Sequence, residues 1–338
     1  MLRSFYRVAA GSIVVALFSA CAAPVPGRDV AALPRIVAHR GGTGDAPENT
    51  LEAIRQSVAH HADAMWLTVQ LSRDGVPVLY RPADLSALTD ASGPVSTRTA
   101  AELAQVNAGW MFRSRDAKGN DDYPYRRAPV GVPMLREALR AIPVGMPVIL
   151  DMKALPAAPQ AQAVAQVLNE ENAWSRVVIY STESAYQQSF AAYPQATVFE
   201  PRDATRTRLL RVLLNEGCFN APGKDTWTAF ELHRPLTVTE KFTLGEGISK
   251  VNATMWSGST VACFRQRPGV RIVAIAVNSA EDYRAAACLG IDAVLVDSPA
   301  QMERVRAGID AAGECPAISR GQQKAASLLP DDVARGPL

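Results

Sequence analysis

Short apolar runs rich in β-branched residues recur along the chain, separated by amphipathic stretches, and this alternation constrains the fold more than any other feature. The runs lie at residues 36–39, 65–71, 78–80, 148–152, 177–180, 197–200, 272–277 and 293–296. Helical patterns lie at 50–61, 99–105, 134–142, 161–170, 204–215, 280–289 and 299–307. Strands this apolar need cover on both faces, which a parallel sheet wrapped by its crossover helices provides. Eight of them in residues 35–306 predict a closed (β/α)8 barrel of the TIM type. The alternative is an open doubly wound sheet, but no Gly-rich dinucleotide fingerprint follows the first run. Two segments break the rhythm and read as long inserted loops. Residues 109–132 carry Gly109-Trp110 and Pro124-Tyr125-Arg126-Arg127; residues 218–263 carry Trp227, His233, Trp256 and two cysteines, an elaboration that a disulfide would suit. No linker-like stretch divides the middle of the 338 residues, so a single domain is expected.

The first residues have a different character. Arg3 and Arg7 precede an apolar segment, Val8 to Phe18, too short to span a bilayer comfortably. Leu17-Phe18-Ser19-Ala20-Cys21 then has the form of a lipobox. Residues 1–20 are expected to be a lipoprotein signal peptide, Cys21 the acylated N-terminus, and residues 21–34, rich in Ala and Pro, a tether. The alternative is a secretory signal cut near Ala23. Ala22 stands where Asp would favour inner-membrane retention, so the expectation is an exported lipoprotein on the outer membrane, facing the periplasm. Without Arg3 and Arg7 the formal charge of +2 falls to zero, which gives no electrostatic reason to expect a nucleic-acid partner. Export also suits four further cysteines, Cys218, Cys263, Cys288 and Cys315, which allow three pairings. Cys288 has the alternative of simple burial on its small-residue helix. No Cys/His cluster has zinc spacing, and the polar tail, residues 307–338, is expected to be disordered, with Cys315 able to pin its start.

Chemistry-bearing residues gather at the strand ends. Val37-Ala38-His39-Arg40-Gly41-Gly42 closes the first strand, and Pro47-Glu48-Asn49-Thr50 opens a helix with Thr50 as its N-cap. Asp63, then Asp74-Gly75-Val76-Pro77-Val78, Ala108-Gly109-Trp110, Tyr123-Pro124-Tyr125-Arg126 and Val132-Pro133-Met134-Leu135 follow. Ala276-Val277-Asn278 and the run Gly290-Ile291-Asp292-Ala293-Val294-Leu295-Val296-Asp297-Ser298-Pro299 complete the series. In this order the motifs resemble the glycerophosphodiester phosphodiesterase family from about Ile36 to Val305. The resemblance implies a (β/α)8 barrel, a phosphodiester substrate and one divalent cation, held by two carboxylates of a Glu-x-Asp on the second strand and a third in a later Glu-x-Lys. It also implies two histidines for general acid–base work.

This chain keeps part of that set. His39 and Arg40 match the family's His-Arg, and Glu48 matches the Glu that supports it. The two metal carboxylates are replaced by Trp66 and Thr68, the second His-Asp reads Arg81-Pro82, and Glu-x-Lys reads Asp151-Met152-Lys153. One carboxylate of three makes a poor divalent site, so no cofactor is expected and Asp151 is the one remaining metal candidate. Loss of a proton-transfer group costs on the order of 10²- to 10⁴-fold in rate. The leading expectation is therefore a non-catalytic barrel binding a small phosphate-bearing or anionic ligand, or an envelope protein, through Arg40, Glu48, Arg81 and Lys153. The first rival is a metal-free phosphodiesterase with His39 as base, Arg40, Arg81 and Lys153 in place of the cation, and Asp84 as acid. The second is a structural envelope protein. Plainer readings stand beside these: His39 as a structural strand-end histidine, Arg81 as a solvated loop charge, Trp66 as a plug in the vacated cavity or a surface for ligand stacking, His60 and His61 as cations at a helix end, and His233 unassigned.

Overall fold

The computed structural model describes residues 33–115, 118–309 and Cys315. The expected signal peptide, Cys21, nearly all of the tether and nearly all of the tail lie outside these residues.

Eight parallel strands form the barrel: β1 (Arg35–His39), β2 (Ala64–Leu71), β3 (Val148–Met152), β4 (Val177–Tyr180), β5 (Thr197–Val198), β6 (Trp227–Glu231), β7 (Arg271–Ile275) and β8 (Ala293–Val296). They pair in the order β5-β4-β3-β2-β1-β8-β7-β6. The seam between β5 and β6 is closed by a parallel bridge from Phe199 to Trp227, where the Glu200 N–H donates to the Trp227 carbonyl at 3.0 Å. Alternation sorts the side chains. Val37, Trp66, Ile149, Tyr180, Phe199, Ala229, Val273 and Leu295 fill the interior, while Ile36, Ala38, Met65, Leu67, Ile272 and Val294 pack outward against the helices. At the foot of the barrel Asp63 accepts the Ile36 N–H (2.7 Å) and pairs with Arg306 (2.6 Å), a stabilising clasp far from the mouth.

Two strand expectations need correction. The run at 78–80 is not a stave: it contributes a three-residue strand, Pro77–Leu79, antiparallel to the end of β2. The missing stave is β6, inside the segment left unassigned. Its sequence, Trp-Thr-Ala-Phe-Glu, is brief and ends in a charge, so its pattern is faint beside those of its neighbours. Beyond β6 the same segment forms a hairpin of two ten-residue strands, His233–Phe242 and Gly245–Thr254, then the helix Gly258–Phe264. Disulfides join Cys218 to Cys263 and Cys288 to Cys315, one of the three pairings left open. The first loop, 109–132, holds the two-residue strands Ser114–Arg115 and Asp121–Asp122, and Arg126 lies over the rings of Tyr123 (3.8 Å) and Trp110 (4.8 Å).

Candidate functional site

The site lies at the carboxyl ends of the strands, where barrels of this kind carry function. β1 ends in a tight turn with three successive residues of positive φ, Arg40 (51°), Gly41 (78°) and Gly42 (101°). The turn ties back through the Gly41 N–H to the Trp66 carbonyl (3.2 Å) and through the Thr43 N–H to the His39 carbonyl (3.0 Å). A Cβ on Gly42 would come within 2.4 Å of Ser57 Oγ, whose hydroxyl donates to the Gly41 carbonyl. Only glycine fits there, and the turn places His39 and Arg40 at the rim.

His39 Nδ1 lies 2.6 Å from Asp297 Oδ1, just beyond β8. An ionised carboxylate only accepts, so Nδ1 carries a proton, while Nε2 has no partner among the described residues. Asp297 is held in turn by Asn278, whose amide donates to Oδ2 (2.7 Å) and whose carbonyl oxygen accepts the Asp297 N–H (2.8 Å). The hydrogen bond from His39 outweighs partial burial and draws the Asp297 carboxyl below its usual range, with help from Asn278 and Arg40. Ala276, two residues before Asn278, has φ of 63°, a strained conformation at the rim.

Arg40 Nη1 pairs with Glu48 Oε2 at 2.5 Å, and Thr43 Oγ donates to the same oxygen at 3.3 Å. The Glu48 side chain is 9% exposed, so this is a shielded pair. Lys153 Nζ lies 3.0 Å from Asp151 Oδ1 and 3.5 Å from Thr182 Oγ. Burial pushes the Asp151 carboxyl up, against the pull of Lys153, Trp66 and Arg40. Four buried polar atoms here lack a hydrogen bond: Glu48 Oε1, Asn49 Nδ2, Thr68 Oγ and Asp151 Oδ1, the last close to Lys153 but poorly aligned. They are neighbours, since Asn49 Oδ1 accepts the Thr68 N–H (2.9 Å) and Thr68 is the register partner of Asp151. Each unsatisfied buried group costs about 1–3 kcal/mol, so their grouping marks a patch suited to a polar ligand. A cleft of about 410 Å³ opens beside Glu48, between the turn at Thr43 and the loop at Met111 to Arg113.

Trp66 is 3% exposed and packs on Tyr180 (centroids 4.7 Å apart) and Phe199 (6.0 Å), with Trp227 extending the cluster (5.5 Å from Phe199). It fills the barrel where the resemblance places a metal carboxylate. Across the mouth, Arg202 donates to both Glu231 oxygens (2.6 Å each) and to the Tyr180 hydroxyl (3.2 Å), and Arg234 reaches Glu231 at 3.2 Å. Burial opposes ionisation of Glu231, but the Arg202 guanidinium prevails and holds its carboxyl low.

His39, Arg40, Glu48, Asp151 and Lys153 thus share one mouth. Arg81 forms no hydrogen bond or ion pair with any of them. Gln70 clamps the backbone around it through the Tyr80 and Pro82 carbonyls, and its exposed side chain makes no hydrogen bond or ion pair with the described residues. Asp84 accepts from Ser86 and from the Gly93 N–H, bonds led by Ser86 that lower its pKa and suit a turn residue rather than a general acid. His60 and His61 share Glu303 (3.1 and 2.5 Å), and His233 bridges Asp282 and Thr254. Sequence reasoning missed Asp297, Asn278, Arg202 and Glu231. Asp297 and Asn278 lie in the motifs that carry the resemblance, whereas Glu231 ends the stave that escaped notice.

The family's divalent cation does not fit this donor set. Asp151 is engaged with Lys153, Glu48 with Arg40, and Trp66 occupies interior volume; no group of three His, Cys, Asp or Glu able to hold a metal occurs among the described residues.

A (β/α)8 barrel whose first strand ends in a His-Arg turn backed by a Glu at the mouth is the arrangement that the sequence motifs implied. The sequence model of the Glycerophosphoryl diester phosphodiesterase family matches residues 39–301, and the chain belongs to that family. It is 48% identical over 273 residues to the uncharacterized protein Rv2277c of Mycobacterium tuberculosis, covering 81% of this chain and 90% of that one. The crystal structure of that protein's glycerophosphoryl diester phosphodiesterase domain superposes with a TM-score of 0.75 at 47% identity, over 81% of this chain and 99% of that one. A phosphodiesterase from Oleispira antarctica, solved with sn-glycerol-3-phosphate, shares the fold at 21% identity and a TM-score of 0.58, over 81% and 97% of the chains.

Proposed function

We propose that this barrel binds a phosphate-bearing or other anionic ligand at its mouth and does not perform the metal-assisted hydrolysis associated with its family. The observation that carries the reading is Trp66, packed against Tyr180 and Phe199 at the position of a metal carboxylate, with Thr68 at the next. Arg40 and Lys153 remain beside the unsatisfied polar patch, and guanidinium and ammonium donors hold a phosphate without a metal. The same proposal places the chain in the cell envelope, tethered through acylated Cys21.

The test is turnover of glycerophosphocholine with Mg²⁺, with Ca²⁺ and with EDTA, beside a His39→Ala control, together with calorimetric titration of sn-glycerol 3-phosphate. Binding that weakens about tenfold or more in Lys153→Gln, without turnover above the control, supports the proposal. EDTA-sensitive turnover defeats it. A second reading is favoured by the His39–Asp297–Asn278 chain, which orients an imidazole as a general base. Turnover insensitive to EDTA and lost in His39→Ala would establish that metal-free phosphodiesterase. The absence of both turnover and binding would leave the barrel a structural scaffold.

A further inference from the structure

Two guanidinium groups at the mouth share a single carboxylate. Glu231 ends β6, and alternation with Trp227 and Ala229 turns its side chain inward. Arg202, the first residue of the helix Arg202–Leu213, donates to both Glu231 oxygens and to the hydroxyl of Tyr180, which also faces the interior. Arg234, just beyond β6, donates to the same Oε1 that Arg202 holds, at 3.2 Å against 2.6 Å. Both guanidiniums lie over the Phe230 ring, 4.4 and 5.5 Å from its centroid, which keeps the two cations close together. Among the described residues no other acid pairs with either arginine: Asp203 pairs with Arg206, and Asp282 with His233. The group therefore carries one positive charge in excess, although the Arg202 side chain is only 14% exposed. A cation withdrawn from water to that degree is costly without a counter-ion. The guanidinium of Arg202 makes three hydrogen bonds to described residues and that of Arg234 one, so both retain N–H groups for an anion.

The pair also stands within reach of the cations already described. Tyr180, which Arg202 holds, is the register partner of Asp151, the acid beside Lys153. Lys153 follows β3 and Arg202 follows β5, with β4 alone between those staves. Two strand spacings of about 4.8 Å each put the arginines roughly 10 Å from Lys153 along the rim.

We infer that Arg202 and Arg234 form a second anion subsite, and that the ligand of the mouth carries two anionic groups, one held by Arg40 and Lys153 and the other by this pair. A bisphosphate on a short carbon chain has that separation. The inference rests on the reading of the mouth as an anion site, but the two subsites can fail separately.

The experiment compares fructose 1,6-bisphosphate with fructose 6-phosphate by calorimetric titration of the whole chain, carrying Cys21→Ser to prevent acylation. The bisphosphate is expected to bind about tenfold more tightly or better, because it gains charge-assisted hydrogen bonds. Arg234→Gln should remove that advantage and leave the monophosphate within about threefold. Glu231 keeps Arg202 in this variant, so the melting temperature should hold. Lys153→Gln should weaken both ligands alike. Equal affinities for the two ligands, or an advantage that survives both Arg234→Gln and Arg202→Gln, would overturn the inference. Bisphosphate binding that is lost in Arg234→Gln but indifferent to Lys153→Gln would keep the arginine subsite and overturn the bridging ligand, together with the role proposed for Lys153. Failure of both ligands to bind would refute the inference and the anion-site reading at once.

Discussion

Replacing Trp66 with alanine separates two roles that the side chain can have, barrel plug or ligand surface. The indole is almost fully buried, 4.7 Å from the Tyr180 ring and 6.0 Å from Phe199, in an interior that also holds Ile149 and Leu295. A closed ring of strands cannot collapse into the space, so both the lost transfer energy and the cavity contribute, together about 3–5 kcal/mol. For a domain of this size each kcal/mol moves the melting point by about 2–4 °C, so a fall of roughly 6–20 °C is expected. In urea the midpoint should shift while the slope stays constant. Calorimetric titration of sn-glycerol 3-phosphate should change less than about threefold, because the donors assigned to it are Arg40 and Lys153. A loss under about 1 kcal/mol, with affinity down tenfold, would refute the reasoning and make Trp66 a surface on which the ligand stacks.

Two further outcomes follow from contacts elsewhere. Asp297 has a depressed pKa in the folded protein, chiefly through His39, so its contribution is in full force above the ordinary carboxyl pKa near 3.9 and is lost as pH falls through the lower folded value. Asp297→Asn should therefore lower the melting temperature at neutral pH and flatten its fall between about pH 5 and 2, as read by a pH series of thermal melts. The Cys218–Cys263 disulfide closes a separation of 45 residues that contains β6 and the hairpin, and loop entropy assigns such a closure about 4 kcal/mol. Replacing both cysteines with serine should cost up to that amount in denaturant titrations, and an unchanged midpoint would show that the segment is ordered by its packing alone.

The barrel was legible because seven of its eight staves announce themselves as apolar runs, and because the motifs mark strand ends, where parallel barrels gather their functional groups. β6 escaped because what makes it a stave is nonlocal: its register with β7, from Trp227 beside Arg271 to Glu231 beside Ile275, and the bridge at Phe199. The run at 78–80 misled for the converse reason, since Val78 is fully buried and patterned like a stave but pairs antiparallel. The core of the site, His39, Arg40, Glu48, Asp151 and Lys153, was legible residue by residue. Its second layer was not: Asn278 and Asp297 are 19 residues apart on successive strand ends, and their mutual hydrogen bonds are created by closure of the fold. Arg81 is exposed and unpaired among the described residues, so its place in the site rests on the sequence alone.

The substitutions at the mouth are coherent when charge and volume are considered together. Exchanging two carboxylates for Trp66 and Thr68, and dispensing with a dication, leaves the formal charge of the region unchanged, so attraction for an anion survives the change. On the proposed reading, what is given up is the Lewis acid, the component that favours charge developing in a transition state over charge already present in a bound phosphate. Volume follows the same logic. Removing an ion and its ligands from a barrel interior would leave a polar hole, and an indole packed on Tyr180 fills it with apolar surface. The remaining acids are each matched by a base, Glu48 by Arg40 and Asp151 by Lys153, which spares the interior an uncompensated charge. On the reading proposed above, such a mouth holds a phosphate rather than cleaving it, and turnover lost in His39→Ala is the result that would refute that reading.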